Sequence, residues 1–446
     1  MIGFETIGNA TVTVFDEKPI ISTDPWIFGN PYFGSWGHKY SIPSEQLDNI
    51  KNSKYLFLSH GHPDHIDPDS FELFKNKTLI VGDHYGDRIY NDLKVKYDCI
   101  KLKSNSWFEV SKNIRIKSFA DWNQDTSLII EILKKDIILN LNDAKARGWS
   151  GEIKKIIKPY RNKFLLKLVN EADADMINFY NHHNTFLPPY TSKDGIGKIY
   201  TQAMDNWNCN FAVPFSCFHK YIRKDSIKMN EFVSPLKSHY ENFDNKPGEL
   251  LPAFIRWDSS KDDYVKINPQ ENNNEIKNPE FFGDNWSEEL DPSEKNQLFE
   301  YFKRFDHIKK KFGFITFIVG NKENTLKLSD REEGIIFETP RNSLVEAIKH
   351  NIFDDVLIGN FMKTRLINVD SLVPDFSPYI TKYGDNGNAR TEDELKDYFD
   401  YYKLNSANYW MDFLRIKSEH IIRKSLKNHK NLYKIAKFAK NKIKFL

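Results

Sequence analysis

Apolar and polar residues alternate over Thr11-Val12-Thr13-Val14-Phe15, and apolar residues return at Ile20-Ile21 after Asp16-Glu17-Lys18-Pro19. A period of two broken by a turn cluster predicts a β-hairpin that opens the chain and closes at Thr23-Asp24-Pro25-Trp26. Short runs rich in apolar residues follow at 55–58, 78–81, 114–119, 128–130 and 137–141, and again at 176–180 and 211–215. Runs this short read as buried strands. The stretch 70–74 reads as the start of a short helix. Residues 28–44 are too irregular for a helix and too aromatic for a plain solvent loop (Phe33, Trp36, Tyr40, with His38), so they are expected to wall a pocket. A polar segment at 272–285, interrupted by Pro279, marks a boundary. Beyond it, 312–319 and 334–338 read as strands and 343–350 as a helix. Thr391 and Glu394 form a capping box that opens another helix.

This pattern predicts an α/β chain with a first domain over 1–235 and a linker and irregular segment over 236–300. A small α+β domain follows over 301–414, then a basic C-terminal helix over 415–446. No internal repeat is evident. At 446 residues the chain is long enough for two or three cores. Sixty-four basic residues stand against 62 acidic ones, so the whole molecule is not a polyanion binder, and no nucleic-acid partner is expected. Only Cys99, Cys209 and Cys217 occur, which argues against a disulfide scaffold, a zinc ribbon or an iron–sulfur cluster. No signal peptide and no membrane-spanning run are read, so a cytoplasmic protein is expected. The tail is the exception in charge. From Arg415 to Leu446 there are eleven Lys and Arg residues and one acid, Glu419, with Leu432, Ile435, Phe438, Ala439 and Ile443 at roughly helical spacing. That segment either packs on its own domain or lies on an anionic membrane surface.

The chemistry concentrates after the run 55–58, in Ser59-His60-Gly61-His62-Pro63-Asp64-His65. Gly61 and Pro63 cannot continue a strand, so the donors sit on the loop that leaves it. His60 and His62 alternate along extended chain and can face one side to clasp one metal. Asp64 and His65 come after the turn and can reach a second. Two ions so placed form a clamp that generates hydroxide at neutral pH and polarises a substrate oxygen. The run 137–141 ends in Asn142-Asp143, where a carboxylate has lone pairs for two cations.

His-x-His-x-Asp-His after a hydrophobic strand resembles the metal-binding signature of the metallo-β-lactamase superfamily, and the likeness spans roughly the first half of the chain. Within it the details look most similar to the N-acyl-phosphatidylethanolamine phospholipase D type and to the CMP-N-acetylneuraminate hydroxylase type without its Rieske domain. The resemblance implies an αββα sandwich with two metals at one sheet edge. It assigns Asp24 an outer supporting role and makes Asp143 the bridging carboxylate. The family's next histidine ligand has no counterpart here. Asp121, before Trp122, takes that place, with Asp125 the fallback; alternatively Asp121 only supports its loop and the first ion keeps two histidines. A carboxylate there makes the site harder, suiting iron or manganese. His219 matches the family's late histidine if an insertion over 192–207 is allowed, the alternative being a structural histidine. His182 and His183 are weaker candidates for substrate contact.

The implied set is therefore His60, His62 and Asp121 for one ion, Asp64, His65 and His219 for the other, and Asp143 between them. The implied cofactors are two divalent ions, zinc or iron and manganese. The implied activity is a binuclear hydrolase using a metal-bound hydroxide on a phosphodiester or sugar-nucleotide-like substrate, small or lipid-borne. The alternative is a diiron oxygenase fed by an external reductase, since the Cys/His pairs of a Rieske cluster are absent.

Overall fold

The opening hairpin forms as its alternation predicts, with strands Ile2–Ile7, Thr11–Asp16 and Lys18–Thr23 each antiparallel to the next. In this computed structural model residues 1–170, 175–189, 195–384 and 387–425 are described, with side chains to 418. The next strands, Tyr55–Leu58, Thr78–Gly82 and Asp98–Leu102, add to the hairpin in parallel. The near-continuous apolar runs of the first two fit strands covered on both faces. Ile255–Asp258 and Asp263–Lys266 complete this eight-stranded sheet on its other edge. A second sheet of seven strands runs from Glu249–Leu250 through Phe211–Pro214, Asn162–Lys167, Asp136–Asn142, Thr126–Ile132 and Ile114–Ala120 to Trp107–Glu109.

The two sheets face each other across one core, in which Phe4, Val14 and Phe57 meet Ile116, Ile130 and Phe164. Side chains pointing the other way are also buried. Leu56, Leu58 and Leu79 cluster with Ile50 of the helix Ser44–Asn52. Ile129, Leu139 and Leu165 pack with Ile153 and Tyr200 of the helices Ser150–Ile157 and Ile196–Trp207. The layers are therefore helix, sheet, sheet, helix, the αββα sandwich of the metallo-β-lactamase fold. Trimming one fully buried aromatic such as Phe57 in this core is worth about 3–5 kcal/mol.

A third sheet belongs to the C-terminal unit, in the order Phe186–Leu187, Phe179–Tyr180, Lys363–Ile367, Gly334–Glu338, Phe314–Val319, Lys322–Lys327. Its first two strands come from the middle of the chain. The expected strand over 176–180 is only Phe179–Tyr180, and it pairs with Lys363–Ile367 rather than with the sandwich. Asn360 fixes this seam: its Oδ1 accepts from the Ile177 and Asn178 N–H groups at 2.7 and 3.2 Å. The Ser35 hydroxyl donates to the Gly359 carbonyl across the same seam. Directly before these two anchors runs the helix Phe353–Ile358, buried at all six positions.

Other expectations are redrawn. The sandwich does not stop at 235, because strands at 249–250, 255–258 and 263–266 join its two sheets. The segment 236–300 also contains the helix Pro292–Lys303, closed by a capping box between Asp291 and Glu294 that the hydrophobic pattern did not reveal. The helix expected at 70–74 is a 3₁₀ helix, Pro68–Phe74, whose Asp67 cap accepts from the Asp69 N–H. A helix covers Tyr409–Ser425. The rest of the expected basic tail, from 426, lies outside the described residues, as do 171–174, 190–194 and 385–386. Among the described residues no helix is long and apolar enough to cross a membrane.

Candidate metal centre

Strand Tyr55–Leu58 delivers Ser59 and His60 to the end of the first sheet, and a turn then reverses the chain: the His65 and Ile66 N–H groups donate to the His62 carbonyl at 3.0 and 2.9 Å. The reversal brings His65 back beside His60, their ring centroids 4.1 Å apart. From the second sheet, strand Asp136–Asn142 ends in a register shift, and Asn142 is left-handed at φ 49°. Asparagine tolerates that conformation, and the bend brings Asp143 to the histidines.

Five donors converge. His65 Nε2 stands 3.2 Å from Asp64 Oδ2 and 3.5 Å from Asp143 Oδ2, and His60 Nε2 is 3.8 Å from the same Asp143 oxygen. His60 Nε2 lies 2.9 Å from His62 Nδ1. His60, His65 and Asp143 offer atoms mutually close enough to share one ion, and His62, Asp354 and Asp355 form a second such group. The nitrogens turned away from the centre are held. His60 Nδ1 meets the Ser59 hydroxyl at 2.9 Å, His65 Nδ1 meets Asn142 Nδ2 at 3.0 Å and Asp24 Oδ2 at 3.5 Å, and His62 Nε2 meets Asp354 Oδ2 at 3.1 Å. The carboxylates are held too. Asp64 accepts from the Tyr32 hydroxyl at 2.5 Å and from Asn9 Nδ2 at 2.9 Å, and Asp143 accepts from the Ser216 hydroxyl at 2.9 Å. Such outer partners fix ring orientation and tautomer in metal sites.

These atoms fit a cation. His65 Nε2 is buried without a hydrogen bond while it faces two carboxylates. Burial opposes charge on His65, yet Asp64 and Asp24 outweigh it and raise its pKa well above the usual range. Burial lowers His60 far below that range, with His65 and His62 adding to the effect. Burial works against ionised Asp64 as well, but His65 wins and brings it down to about 2. Asp143 is likewise lowered against its burial by His65 and His60. Carboxylates and imidazoles are packed together at low exposure, an arrangement that is costly unless a positive charge, on His65 or on a bound cation, is shared among them.

The structure thus brings His60, His62, Asp64, His65 and Asp143 together. Asp121 and Asp125 fall in neither donor group. Asp121 accepts from the Asn123 and Arg147 N–H groups at 2.7 and 3.2 Å, and the Arg147 guanidinium stands 3.6 Å from Asp121 and 3.9 Å from Asp125. Burial, reinforced by Asp121, raises Asp125 to about 6. His219 is fully buried, stacked on Trp36 at 3.6 Å, with both ring nitrogens unpartnered. Burial lowers it to about 3, and the charge of Asp64 reaches it. His182 and His183 are exposed and lie against each other. Asp354, Asp355, Tyr32 and Asn9 were not singled out from the sequence. The pair Asp354-Asp355 opens a short apolar helix, where acids ordinarily read as complements to the helix dipole. Tyr32 reaches Asp64 because it is left-handed at φ 56°, which no sequence pattern announces.

The fold is a metallo-β-lactamase-type sandwich, and at its strand ends stands a cluster of histidines and carboxylates that could hold a cation. In sequence, 134 residues are 27% identical to the cytidine monophosphate-N-acetylneuraminic acid hydroxylase of Asterias rubens, covering 28% of this chain and 20% of that protein. The enzyme of that name from Sus scrofa is 22% identical over 135 residues, covering 28% of this chain and 31% of its own length. The chain therefore spans between a fifth and a third of these relatives. No family model matches. Among solved structures, Igni18, a metallo hydrolase of Ignicoccus hospitalis, aligns with TM-score 0.36 at 16% identity over 60% of this chain and 98% of its own. A mutant form of the CmlA β-hydroxylase aligns with TM-score 0.35 at 11% identity over 59% of this chain and 54% of its own.

Proposed function

We propose that the protein is a binuclear metal-dependent hydrolase acting on a phosphodiester or sugar-nucleotide-like substrate. The observation that carries this reading is the convergence of His60, His62, His65, Asp64 and Asp143 on one buried point, with a supporting group behind each imidazole. Those five residues would hold the ions, and His219 adds an unpartnered donor beside Asp64. Bound there, divalent ions supply Lewis acidity and lower the pKa of water toward neutrality. The chain's own residues do the rest. Tyr32 and Asn9 orient Asp64 by hydrogen bonds, and Ser216 does the same for Asp143. Positive charge gathers next to Asp143. Lys167 ends strand Asn162–Lys167 in register with Asn142, and Lys145 and Arg147 act on it; burial first, then Lys145, lowers it to about 8. A cationic margin suits an anionic substrate; Tyr32 and Trp36, from the stretch expected to wall a pocket, are instead buried together with Trp26 in the core.

A second reading, a diiron oxygenase, is favoured by the identity to two sugar-nucleotide hydroxylases and by the carboxylate-rich donor set, which suits iron. The three cysteines are free, so in this reading electrons come from a separate reductase. Protein loaded with zinc, manganese or ferrous iron, incubated with phosphodiesters and nucleotide sugars, decides between them. Hydrolytic products without oxygen uptake are expected. Oxygen consumption matched by a hydroxylated product, with no hydrolysis under any metal, would transfer the assignment to the oxygenase.

A further inference from the structure

We infer that Asp354, on the C-terminal unit, is the positioning residue for His62, so that the metal centre is completed across the seam between the two units. This rests on the metal-centre reading above and deepens it. A neutral imidazole carries one N–H and one lone pair, and its outer partner decides which nitrogen has which. His62 Nε2 lies 3.1 Å from Asp354 Oδ2, so a proton there is shared with the carboxylate. The lone pair then falls on Nδ1, which lies 2.9 Å from His60 Nε2. His60 in turn meets the Ser59 hydroxyl through Nδ1. The 2.9 Å contact is an N–H···N hydrogen bond when Ser59 donates to His60 Nδ1, and a cation held by the two inner nitrogens takes the place of that shared proton.

His65 shows the same device inside the sandwich, with Asp24 behind its Nδ1. Asp354 supplies for His62, from 292 residues away, what Asp24 supplies for His65. Its placement is built rather than incidental. The helix Phe353–Ile358 is buried throughout and is pinned at its end by the Ser35–Gly359 and Asn360–Ile177 hydrogen bonds. The charge of Asp355, one residue on, reaches Tyr32, whose hydroxyl donates to Asp64. One short helix therefore bears on two donors of the histidine loop.

The test uses the full chain and cobalt(II), read by its visible absorption and by competition with a chromophoric chelator, so that no assay of turnover is needed. Asp354→Ala is expected to weaken uptake of one ion about 10- to 100-fold, because His62 loses its fixed tautomer. Asp354→Asn keeps an acceptor oxygen and is expected to stay within a few-fold of wild type. It also guards against misfolding, since its thermal unfolding in the metal-free state is to match wild type. Wild-type affinity in Asp354→Ala overturns the inference. So does an Asp354→Asn protein as empty as His62→Ala, which would make Asp354 a direct ligand. A wild-type protein that takes up no cobalt overturns the metal-centre reading itself.

Discussion

His65 and His62 lie three residues apart on one loop, yet they live in different neighbourhoods. His65 is fully buried among residues at the strand ends of the sandwich, with Asp24, Asn142 and Asp143 around it. His62 keeps 18% of its side chain exposed and meets a carboxylate from the far unit. The first surroundings come from the sandwich itself, where Asp24 and Asn142 stand at the ends of strands whose register the core fixes. The second exists only if the C-terminal unit docks, through the seam at Ile177, Asn178 and Asn360. A metal loop can thus be local in sequence while its support is not.

The largest effect is expected at the point both neighbourhoods share. Asp143→Ala should abolish turnover and remove metal, since Asp143 faces both His60 and His65; elemental analysis of the purified variant checks it, and full metal content would break the comparison. Next is the far unit's core. Phe337→Ala, fully buried against Phe317 and Phe353, should cost about 3–5 kcal/mol in denaturant unfolding and also weaken metal uptake through the helix that carries Asp354. Destabilisation with unchanged metal affinity would mean that the two neighbourhoods are independent. Asp24→Ala should lower metal affinity about 10- to 100-fold, measured by chelator competition, because Asp24 stands behind His65.

A smaller effect comes from His84, which links the units by meeting the Tyr402 hydroxyl at 2.9 Å and Thr126 at 2.8 Å. Burial lowers it from the ordinary 6.5 to about 3. The unfolded chain therefore takes up a proton near 6.5 that the folded chain refuses until far lower. This contribution to stability is complete above about 6.5 and is lost as the pH falls toward 3. At pH 5 the loss amounts to about 2 kcal/mol, and His84→Gln should flatten the thermal-stability profile between pH 7 and 5. His182→Ala with His183→Ala, both exposed, should change stability by less than about 0.5 kcal/mol.

Much of the sandwich was legible because its strands follow simple periods, and the loop at 60–65 because four donor side chains crowd into it after an apolar run. The five converging donors all appear in the set read from the sequence. What was not legible depended on distance along the chain. Asp121 precedes a strand as a ligand would, but its oxygens accept from the turn it begins and from Arg147. Asp354 reads as an ordinary helix-opening acid until the fold sets it against His62. Strands 255–258 and 263–266 were missed because a polar stretch nearby suggested a boundary, whereas Trp257 packs deep in the sandwich core. Tyr32 depends on a left-handed backbone that no hydrophobic pattern encodes.

In the proposed function His60, His62, Asp64, His65 and Asp143 hold the metal ions. The most direct test is to purify the wild-type protein without added metal and measure zinc, iron and manganese per chain, beside a visible spectrum. About two ions per chain, lost in Asp143→Ala, is the predicted result. A protein that carries no metal, and takes none up on reconstitution with any of the three, would contradict it.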